Sequence, residues 1–240
     1  MLLGNGDGTF QAPVQYAAGA TTTSVTMGDF NGDTFQDLAA ANAVSGTVSV
    51  FLGNGDGTFQ AAAHHTAGDG SQTVAIGDFN KDTFQDLATS NINSDTVSVL
   101  LGNGDGTFQA PVQYAVATEP RRLAVGDFNG DTFQDLVTAN NSINTVSVLL
   151  GNGDGTFQAP GKYTTGDGPA LVAVGDFNED GSQDLAVTNW DDDTVSVLLH
   201  ALPATSVPAL NEWGVLILFL LIPGTAFWRI VRRGQMKSME

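Results

Sequence analysis

The sequence predicts an all-β protein, a β-propeller built from four-stranded blades, followed by a C-terminal hydrophobic helix. The string GDFN begins at residues 28, 77, 126 and 175, and GNGDG begins at 4, 53, 102 and 151, so both recur every 49 residues. The string TVSV recurs at the same interval from residue 47. A period of roughly 40–50 residues is typical of propeller blades, whereas β-rolls repeat at about six or nine residues.

Each 49-residue unit contains four segments with the pattern of a strand. In the first, residues 24–28, Val25 and Met27 alternate with Thr26, and this period of two predicts a half-buried strand. The second segment is 38–42, the third is 47–52, and the fourth begins at 58–60 after a glycine-rich turn. Four units cover residues 4–199, and no helical periodicity precedes residue 208.

The position at which the chain enters the repeat allows two architectures. His200 aligns with Gly4, so the N-terminal segment is a candidate fourth strand for the blade whose first three strands lie within 171–199. A ring of four blades closed in this way has no free strand edges. The alternative is the C-terminal part of a longer propeller, since Met1 lies inside a repeat.

An acidic loop follows the first strand of every unit and is the candidate metal site. Its DxNxDxxxD pattern offers side-chain oxygens at positions 1, 3, 5 and 9, and position 7 can add a backbone carbonyl. This donor set suits a hard cation, and we predict Ca²⁺. The predicted ligands are Asp29, Asn31, Asp33, Phe35 and Asp37; Asp78, Asn80, Asp82, Phe84 and Asp86; Asp127, Asn129, Asp131, Phe133 and Asp135; and Asp176, Asn178, Asp180, Ser182 and Asp184.

The alternative for these loops is a set of solvated turns, because Asp and Asn favour turns without any ion. Position 6, where glycine permits a sharp turn, is Thr34, Thr83 and Thr132 in three loops and Gly181 in the last. Threonine disfavours a left-handed backbone, so we expect the first three loops to be distorted or weaker. The absence of an EF-hand glutamate predicts a modest affinity, with a dissociation constant on the order of 10⁻⁴–10⁻³ M.

The GNGDG motifs are predicted to be hairpin turns whose glycines adopt positive φ. Their aspartates, Asp7 and its three equivalents, are second candidates for cation binding.

The composition excludes several functional classes. With 26 acidic residues against 8 Lys and Arg, the chain has a net charge of −18, which argues against nucleic acid as a partner. It contains no cysteine, which excludes disulfides, zinc–thiolate sites and cysteine nucleophiles. His65 aligns with Tyr16 and Tyr114 and is expected to fill a packing position. No Ser-His-Asp set can be assembled, and we expect no catalytic site.

The strings GDFNGDTFQDLAAAN and TVSVFLGNGDGTFQAP resemble FG-GAP-type (VCBS-like) repeats, which are related to those of the integrin alpha-chain propeller. The resemblance covers residues 1–199 and makes 1–200 the repeat domain. It implies calcium in each DFN loop and a propeller of usually about seven blades. The family includes adhesins, ligand-binding ectodomains and non-catalytic propellers attached to enzymes.

The composition changes after the repeats. Residues 201–212 are a linker containing the box VPALNEWG, 213–233 are a hydrophobic segment with a basic end, and 234–240 are a short tail. As a helix, 213–231 would span about 28 Å, close to the roughly 30 Å of a bilayer core. A buried core helix is the alternative.

The order of box, apolar helix and arginines resembles the IPTL-CTERM sorting signal of Gram-negative bacteria. This resemblance implies export to the cell envelope, membrane retention and cleavage by a membrane sorting protease, with residues 234–240 in the cytoplasm.

These features together predict a calcium-stabilised, non-enzymatic propeller on the cell surface of a Gram-negative bacterium. Its expected partner is an extracellular protein or glycan. The alternative is an accessory propeller of a larger secreted enzyme, such as a polysaccharide lyase, whose catalytic part is absent from this chain. A structural component of a surface layer is a third candidate.

Overall fold

The computed structural model describes residues 1–200, which form one compact unit. The predicted linker, hydrophobic helix and tail, 201–212, 213–233 and 234–240, lie outside the described residues. Within residues 1–200 the chain is all-β and contains no α-helix, only a 3-10 turn at Asn141–Ile143. Fifteen strands form three four-stranded antiparallel sheets and one three-stranded sheet.

Each sheet, with its loops, is called a blade, and its strands lie in chain order from the inner to the outer edge. The first blade contains β1 (Thr22–Gly28), β2 (Asp37–Asn42), β3 (Thr47–Phe51) and β4 (Ala63–Thr66); the second contains β5 (Ser71–Gly77), β6 (Asp86–Asn91), β7 (Thr96–Leu100) and β8 (Val112–Ala115). The third contains β9 (Pro120–Gly126), β10 (Asp135–Asn140), β11 (Thr145–Leu149) and β12 (Gly161–Thr164); the last contains β13 (Pro169–Gly175), β14 (Asp184–Asn189) and β15 (Thr194–Leu198).

The first three predicted strands of a unit agree with the structure to within two residues, but the position of the fourth was wrong. Phe59 forms only an isolated bridge to Gly53, and the fourth strand begins at Ala63. The backbone N–H of Gln60 donates to the carbonyl of Leu52 at 2.8 Å and closes the turn into a compact loop. The chain therefore rejoins the edge of the sheet only where Val50 pairs with Ala63.

The blades pack face to face through small residues on one side and larger ones on the other. The forward face of a blade is the face toward the next blade in the chain, and the rear face is the opposite one. At the first junction the forward-face residues Ala39, Ala41, Val48 and Val50 pack against Val74, Ile76, Leu87 and Leu100 of the second blade. A fully buried aliphatic side chain contributes about 1.5–3 kcal/mol, so these junctions are the main apolar stabilisation of the fold.

The next two junctions repeat this arrangement. Between the second and third blades, Ala88, Val97 and Val99 pack with Leu123, Leu136 and Leu149. Between the third and last blades, Val137, Ala139, Val146 and Val148 pack with Val172 and Leu185. The same register of small and branched residues therefore buries a separate cluster at every junction.

Of the two architectures that the sequence allows, the closed ring of four blades is not formed by residues 1–200. Successive inner strands contact one another from β1 to β5, β5 to β9 and β9 to β13, but β13 and β1 share no contact of that extent. The last sheet has three strands, and residues 1–17 do not complete it. They lie against the first blade instead, where the Tyr16 ring packs edge-on to Phe59 with centroids 5.5 Å apart. Four blades at this curvature form an open, propeller-like arc.

Candidate metal centre

The acidic loop of the first blade connects β1 to β2 and is folded around its own aspartates. The Asp29 carboxylate accepts the backbone N–H of Gly32 at 2.8 Å, of Asp33 at 3.2 Å and of Thr34 at 2.8 Å. The Asp33 carboxylate accepts the N–H of Phe35 at 2.8 Å. The Asn31 side-chain oxygen accepts the N–H of Asp33 at 3.1 Å, so the side chains at positions 1, 3 and 5 are all hydrogen-bonded to the backbone of this turn.

The other three loops repeat the bonds from the N–H groups of positions 5, 6 and 7. The first aspartate of each loop accepts the N–H of position 6 at 2.8–3.0 Å, in the pairs Asp78–Thr83, Asp127–Thr132 and Asp176–Gly181. The fifth-position aspartate accepts the N–H of position 7 at 2.8 Å in each. Four separate loops therefore share one backbone conformation.

Position 6 adopts the left-handed conformation in every loop. The φ angles are 71° at Thr34, 75° at Thr83, 72° at Thr132 and 85° at Gly181. The expectation that threonine would distort the first three loops was therefore wrong. The carboxylate of the first aspartate fixes the N–H of position 6, and the threonine accepts a backbone strain of about 1–2 kcal/mol.

The aspartate at position 9 links two loops of its own blade. Asp37 is fully buried, and its carboxylate accepts the N–H of Phe30 at 2.8 Å and that of Gly53 at 2.7 Å. Gly53 belongs to the GNGDG turn, and a Cβ at this position would collide with the carbonyl of Gln36. The equivalent aspartates, Asp86, Asp135 and Asp184, accept the same pairs of amides, with His200 replacing the turn glycine in the last blade.

Sequence reasoning gave this aspartate only a ligand role. The available signal was the constant separation of 16 residues between Asp37 and Gly53 and between their equivalents. Burial raises the pKa of Asp37, Asp86 and Asp135, and that of Asp86 reaches about 6. The two amide hydrogen bonds oppose this shift, while the carboxylates at positions 1 and 5 add to it.

In the last three blades, a glutamine at position 8 joins the acidic loop to the loop of the preceding blade. The Gln85 side-chain oxygen accepts the N–H of Asp29 at 2.9 Å, and Gln134 accepts that of Asp78 at 2.7 Å. Gln183 repeats this bond to Asp127 at 2.8 Å. Sequence reasoning did not assign these glutamines a role, because their partners are 56 residues away.

The GNGDG turns have the predicted conformation. Both later glycines of each motif have positive φ, for example 83° at Gly6 and 90° at Gly8. The exposed Asp7 accepts the Thr9 hydroxyl at 2.6 Å and the Thr9 N–H at 2.9 Å, and these bonds lower the pKa of Asp7. The aspartate therefore stabilises the turn itself.

The four acidic loops provide the donor chemistry that a hard cation requires. Each offers carboxylate and amide oxygens from positions 1, 3, 5 and 9 within nine residues. In the part of the chain that the structure describes, no three acidic or histidine side chains stand close enough to hold a metal ion as they are arranged. The oxygens instead accept backbone amides, and a carboxylate oxygen that accepts one hydrogen bond keeps a second lone pair for an ion. The residues thus fit Ca²⁺ by donor type.

His65 lies at the packing position that tyrosine occupies in other units. Its ring is edge-on to Phe108, with centroids 5.2 Å apart, as Tyr114 is to Phe157 at 5.5 Å. Its neighbour His64 is hydrogen-bonded through Nδ1 to the Ser49 hydroxyl at 2.9 Å. Residues 1–200 contain no helix of the length and hydropathy needed to cross a membrane.

Comparison with known proteins identifies the repeat. The FG-GAP-like repeat model matches three overlapping stretches, residues 29–89, 78–138 and 127–187. No curated protein matches the chain. One similar crystal structure is that of a Lactobacillus plantarum protein, with a TM-score of 0.54 and 12 % identity; the match covers 85 % of this chain and 62 % of that one. Another is BBS1N in complex with ARL6DN, with a TM-score of 0.52 and 18 % identity; the match covers 77 % of this chain and 59 % of that one. The chain therefore spans less than two thirds of either, and at these identities the likeness concerns the fold alone.

Proposed function

Because this chain belongs to the FG-GAP-like repeat family, we propose that it is a calcium-stabilised, non-enzymatic β-propeller scaffold that binds an extracellular protein or glycan. The main support is that four loops, 49 residues apart, fold the same oxygen-rich motif into the same hydrogen-bonded turn. Each loop is also bonded to the rest of the fold, through the buried position-9 aspartate and, in the last three blades, the position-8 glutamine. Order in a loop is thereby transmitted to the blade junctions.

The predicted ligand sets would hold one Ca²⁺ in each loop. The bound ion would supply positive charge among three carboxylates that otherwise repel one another. At a tenfold excess over its dissociation constant, a ligand stabilises the folded state by about 1.4 kcal/mol, so four sites would add roughly 5–6 kcal/mol. That gain is comparable to the whole stability of a small domain, which makes a structural role for calcium more fitting than a catalytic one.

Residues that interrupt the repeat are the best candidates for ligand contact. The turn between β14 and β15 carries Trp190, 69 % exposed, beside the exposed Asp191, Asp192 and Asp193. The equivalent of Trp190 is Ala43 in the first blade and Ile92 in the second. An exposed indole next to carboxylates combines an apolar face with hydrogen-bond acceptors, which suits the mixed surface of a sugar or a protein loop.

Calcium binding is tested by calorimetric titration of Ca²⁺ into chelator-treated protein and by thermal melts with and without chelator. The expected result is saturable binding together with a lower melting temperature in chelator. An unchanged melting temperature without heat of binding would refute the proposal. Replacing Asp29, Asp78, Asp127 and Asp176 with Asn should abolish the calcium-dependent part of the shift. Exchanging Asp7 and its three turn equivalents for Asn should leave that part in place.

Ligand binding is tested separately, on panels of immobilised glycans and extracellular matrix proteins. A ligand of the proposed kind should lose affinity when Trp190 is replaced with Ala, and keep it when the exposed Val44 of the first blade is replaced instead. Absence of any ligand across both panels would contradict the binding role without touching the calcium proposal.

We also propose, from the sequence of residues 201–240, that this segment anchors the protein in the membrane. Deleting it should move the protein from the membrane to the soluble fraction of a Gram-negative host. Continued membrane retention of the shortened chain would contradict an anchor.

A further inference from the structure

One lysine of the second blade lies over an aromatic ring of the third. The Lys81 ammonium is 4.2 Å from the centroid of the Phe133 ring. The same Nζ atom donates to the Thr132 hydroxyl at 3.2 Å. A cation over an aromatic ring is attracted electrostatically, because the ring face carries partial negative charge. Thr132 and Phe133 of one acidic loop therefore form a binding site for an ammonium group, and the preceding loop supplies that group.

Lys81 occupies a backbone position that suits glycine. It is the fourth residue of its acidic loop and has φ 60°. The first and third loops have Gly32 and Gly130 at this position, with φ 73° and 75°. A residue other than glycine is strained in this left-handed conformation. The ring and hydroxyl contacts of the ammonium offset part of that strain.

The junction one blade earlier has the same ring and hydroxyl but a different residue facing them. Thr83 and Phe84 of the second blade are the equivalents of Thr132 and Phe133. The residue at position 4 of the preceding loop is Gly32, which has no side chain to place over the ring. The second loop therefore has the components of an ammonium site, and the ammonium must come from outside these two loops.

The Phe84 ring is supported on one side and open to solvent on another. It packs against Gly104 of its own blade, where an added Cβ would collide with the ring. The ring is 44 % exposed, whereas Phe133, which Lys81 covers, is half-buried. A Cβ built on Gly32 would meet nothing nearer than the Gly104 carbonyl at 4.0 Å. The ring is therefore accessible to a side chain that approaches from solution.

The charge of the protein favours a cation at this place. Residues 1–200 contain 24 acidic residues against four Lys and Arg. Asp33 adjoins Gly32 in the chain and Asp82 adjoins Thr83, and both aspartates are exposed. A surface of one sign raises the local concentration of opposite charges and speeds their approach. An ammonium group from solution thus meets an attractive field as well as an aromatic ring.

We propose that Thr83 and Phe84 bind a lysine side chain of a partner protein, with the ammonium over the ring and hydrogen-bonded to the threonine hydroxyl. Lys81 and Phe133 provide the template for this geometry. The ammonium is the matching group because it combines a positive charge with N–H donors. The inference rests on the proposed binding of an extracellular protein for the source of the lysine, and the site lies on a different blade from Trp190.

Peptide titration followed by NMR of labelled phenylalanine rings tests the site, since each ring reports its own contact. The probe is acetyl-Gly-Lys-Gly-amide, added to the full chain in non-ionic detergent and Ca²⁺-containing buffer. It is titrated to about 50 mM, because a single exposed cation–π contact is weak, at a constant ionic strength of about 0.15 M. The Phe84 signals should shift saturably, while those of Phe133 stay in place because Lys81 already covers that ring. The same peptide with norleucine instead of lysine should produce no shift.

Two glycine-to-lysine variants separate the ring contact from the charge. Gly32→Lys supplies an ammonium to the Phe84 ring from within the chain, and should weaken peptide binding at Phe84 at least about fivefold. Gly130→Lys adds the same charge, but position 7 of the following loop is Ser182 and offers no ring. This control should keep the dissociation constant at Phe84 within about twofold of the wild type, because exposed charges interact weakly.

The variant Lys81→Gly provides the converse test. It gives the second loop the glycine that the first and third loops have, and it uncovers the Phe133 ring. The lysine peptide should then shift the Phe133 signals as well as those of Phe84. The variant Phe84→Leu assigns the ring signal, because that signal disappears from its spectrum.

A Phe84 ring that does not respond to the peptide would overturn the proposal. Equal weakening by Gly32→Lys and Gly130→Lys would overturn it too, as would an unresponsive Phe133 in Lys81→Gly. Tighter binding of glucosamine, a cationic sugar, than of the lysine peptide would exclude a protein as the source of the ammonium. Because the titration uses neither Trp190 nor the ligand panels, its failure is distinguishable from failure of the proposed function.

Discussion

The Tyr114 hydroxyl accepts the backbone N–H of Phe157 at 3.2 Å and joins the outer strand of the second blade to the turn of the third. At the N-terminal end of the arc, the Tyr16 hydroxyl accepts the N–H of Phe59 in the same way. The corresponding pair between them is His65 and Phe108, in which the ring contact is kept but the hydrogen bond is lost. The His65 Nε2 atom is buried without a partner.

Replacing His65 with Tyr should therefore stabilise the protein. The phenol oxygen can reach the Phe108 N–H, and one net hydrogen bond contributes about 0.5–1.5 kcal/mol. Urea unfolding should show the midpoint moving upward without a change in slope. The control is the exposed Thr66→Ala, which restores the residue found at this position in the first and third units and should change stability by less than about 0.5 kcal/mol. A His65→Tyr midpoint at or below that of the wild type would contradict the missing bond.

The same histidine should make stability depend on pH. Burial, together with the neighbouring His64, lowers the pKa of His65 below its ordinary value of about 6.5. Protonation is then disfavoured in the folded state, so the stability contribution is complete above about pH 6.5 and is lost as the pH falls toward the folded pKa. Thermal melts across this range should show the wild type losing more stability on acidification than His65→Tyr does. Equal losses in the two proteins would exclude His65 as the origin.

Relieving the left-handed threonines should stabilise the loops. Thr83→Gly removes about 1–2 kcal/mol of strain and adds about 0.5–1 kcal/mol of backbone entropy cost, for a net gain of about 0.5–1 kcal/mol. Thr83→Ala is the matched control, because alanine keeps the Cβ and should give no comparable gain. Gly181→Thr should lower stability by a similar amount. If Thr83→Gly and Thr83→Ala behave alike in chemical denaturation, the strain at φ 75° is not the cause.

The buried Asp86 should stabilise the fold through its hydrogen bonds even when no calcium is present. Its carboxylate accepts the N–H of Phe79 at 2.8 Å and of Gly102 at 2.7 Å, and an asparagine there can accept only one of them. In calcium-free buffer, Asp86→Asn should cost about 1–3 kcal/mol of unfolding free energy, the penalty for a buried unsatisfied amide. The exposed Asp105→Asn is the control and should cost less than about 0.5 kcal/mol. Comparable losses in the two variants would refute the linking role.

Local features were predictable because neighbouring residues determine them. The alternation around Val25 predicts a strand, the glycines of GNGDG predict left-handed turns, and both were confirmed. The start of the fourth strand was missed because Phe59 has strand propensity, yet the turn closes before the chain reaches the sheet edge. The linking role of Asp37 was not predicted, since its partner Gly53 lies in another loop.

The sequence by itself determined the period, the four blades, the acidic loops and the residues that fill each junction, because these depend on spacing and side-chain type within one unit. Only the tertiary structure decided that residues 1–17 pack on the first blade, and that within residues 1–200 the outer edge of β15 has no pairing strand and the arc is open. Closure depends on the small rotation between blades summed over the whole arc, and no single unit encodes that sum. The left-handed conformation of the threonines was likewise decided by the structure, because the surrounding hydrogen bonds override the local preference of threonine.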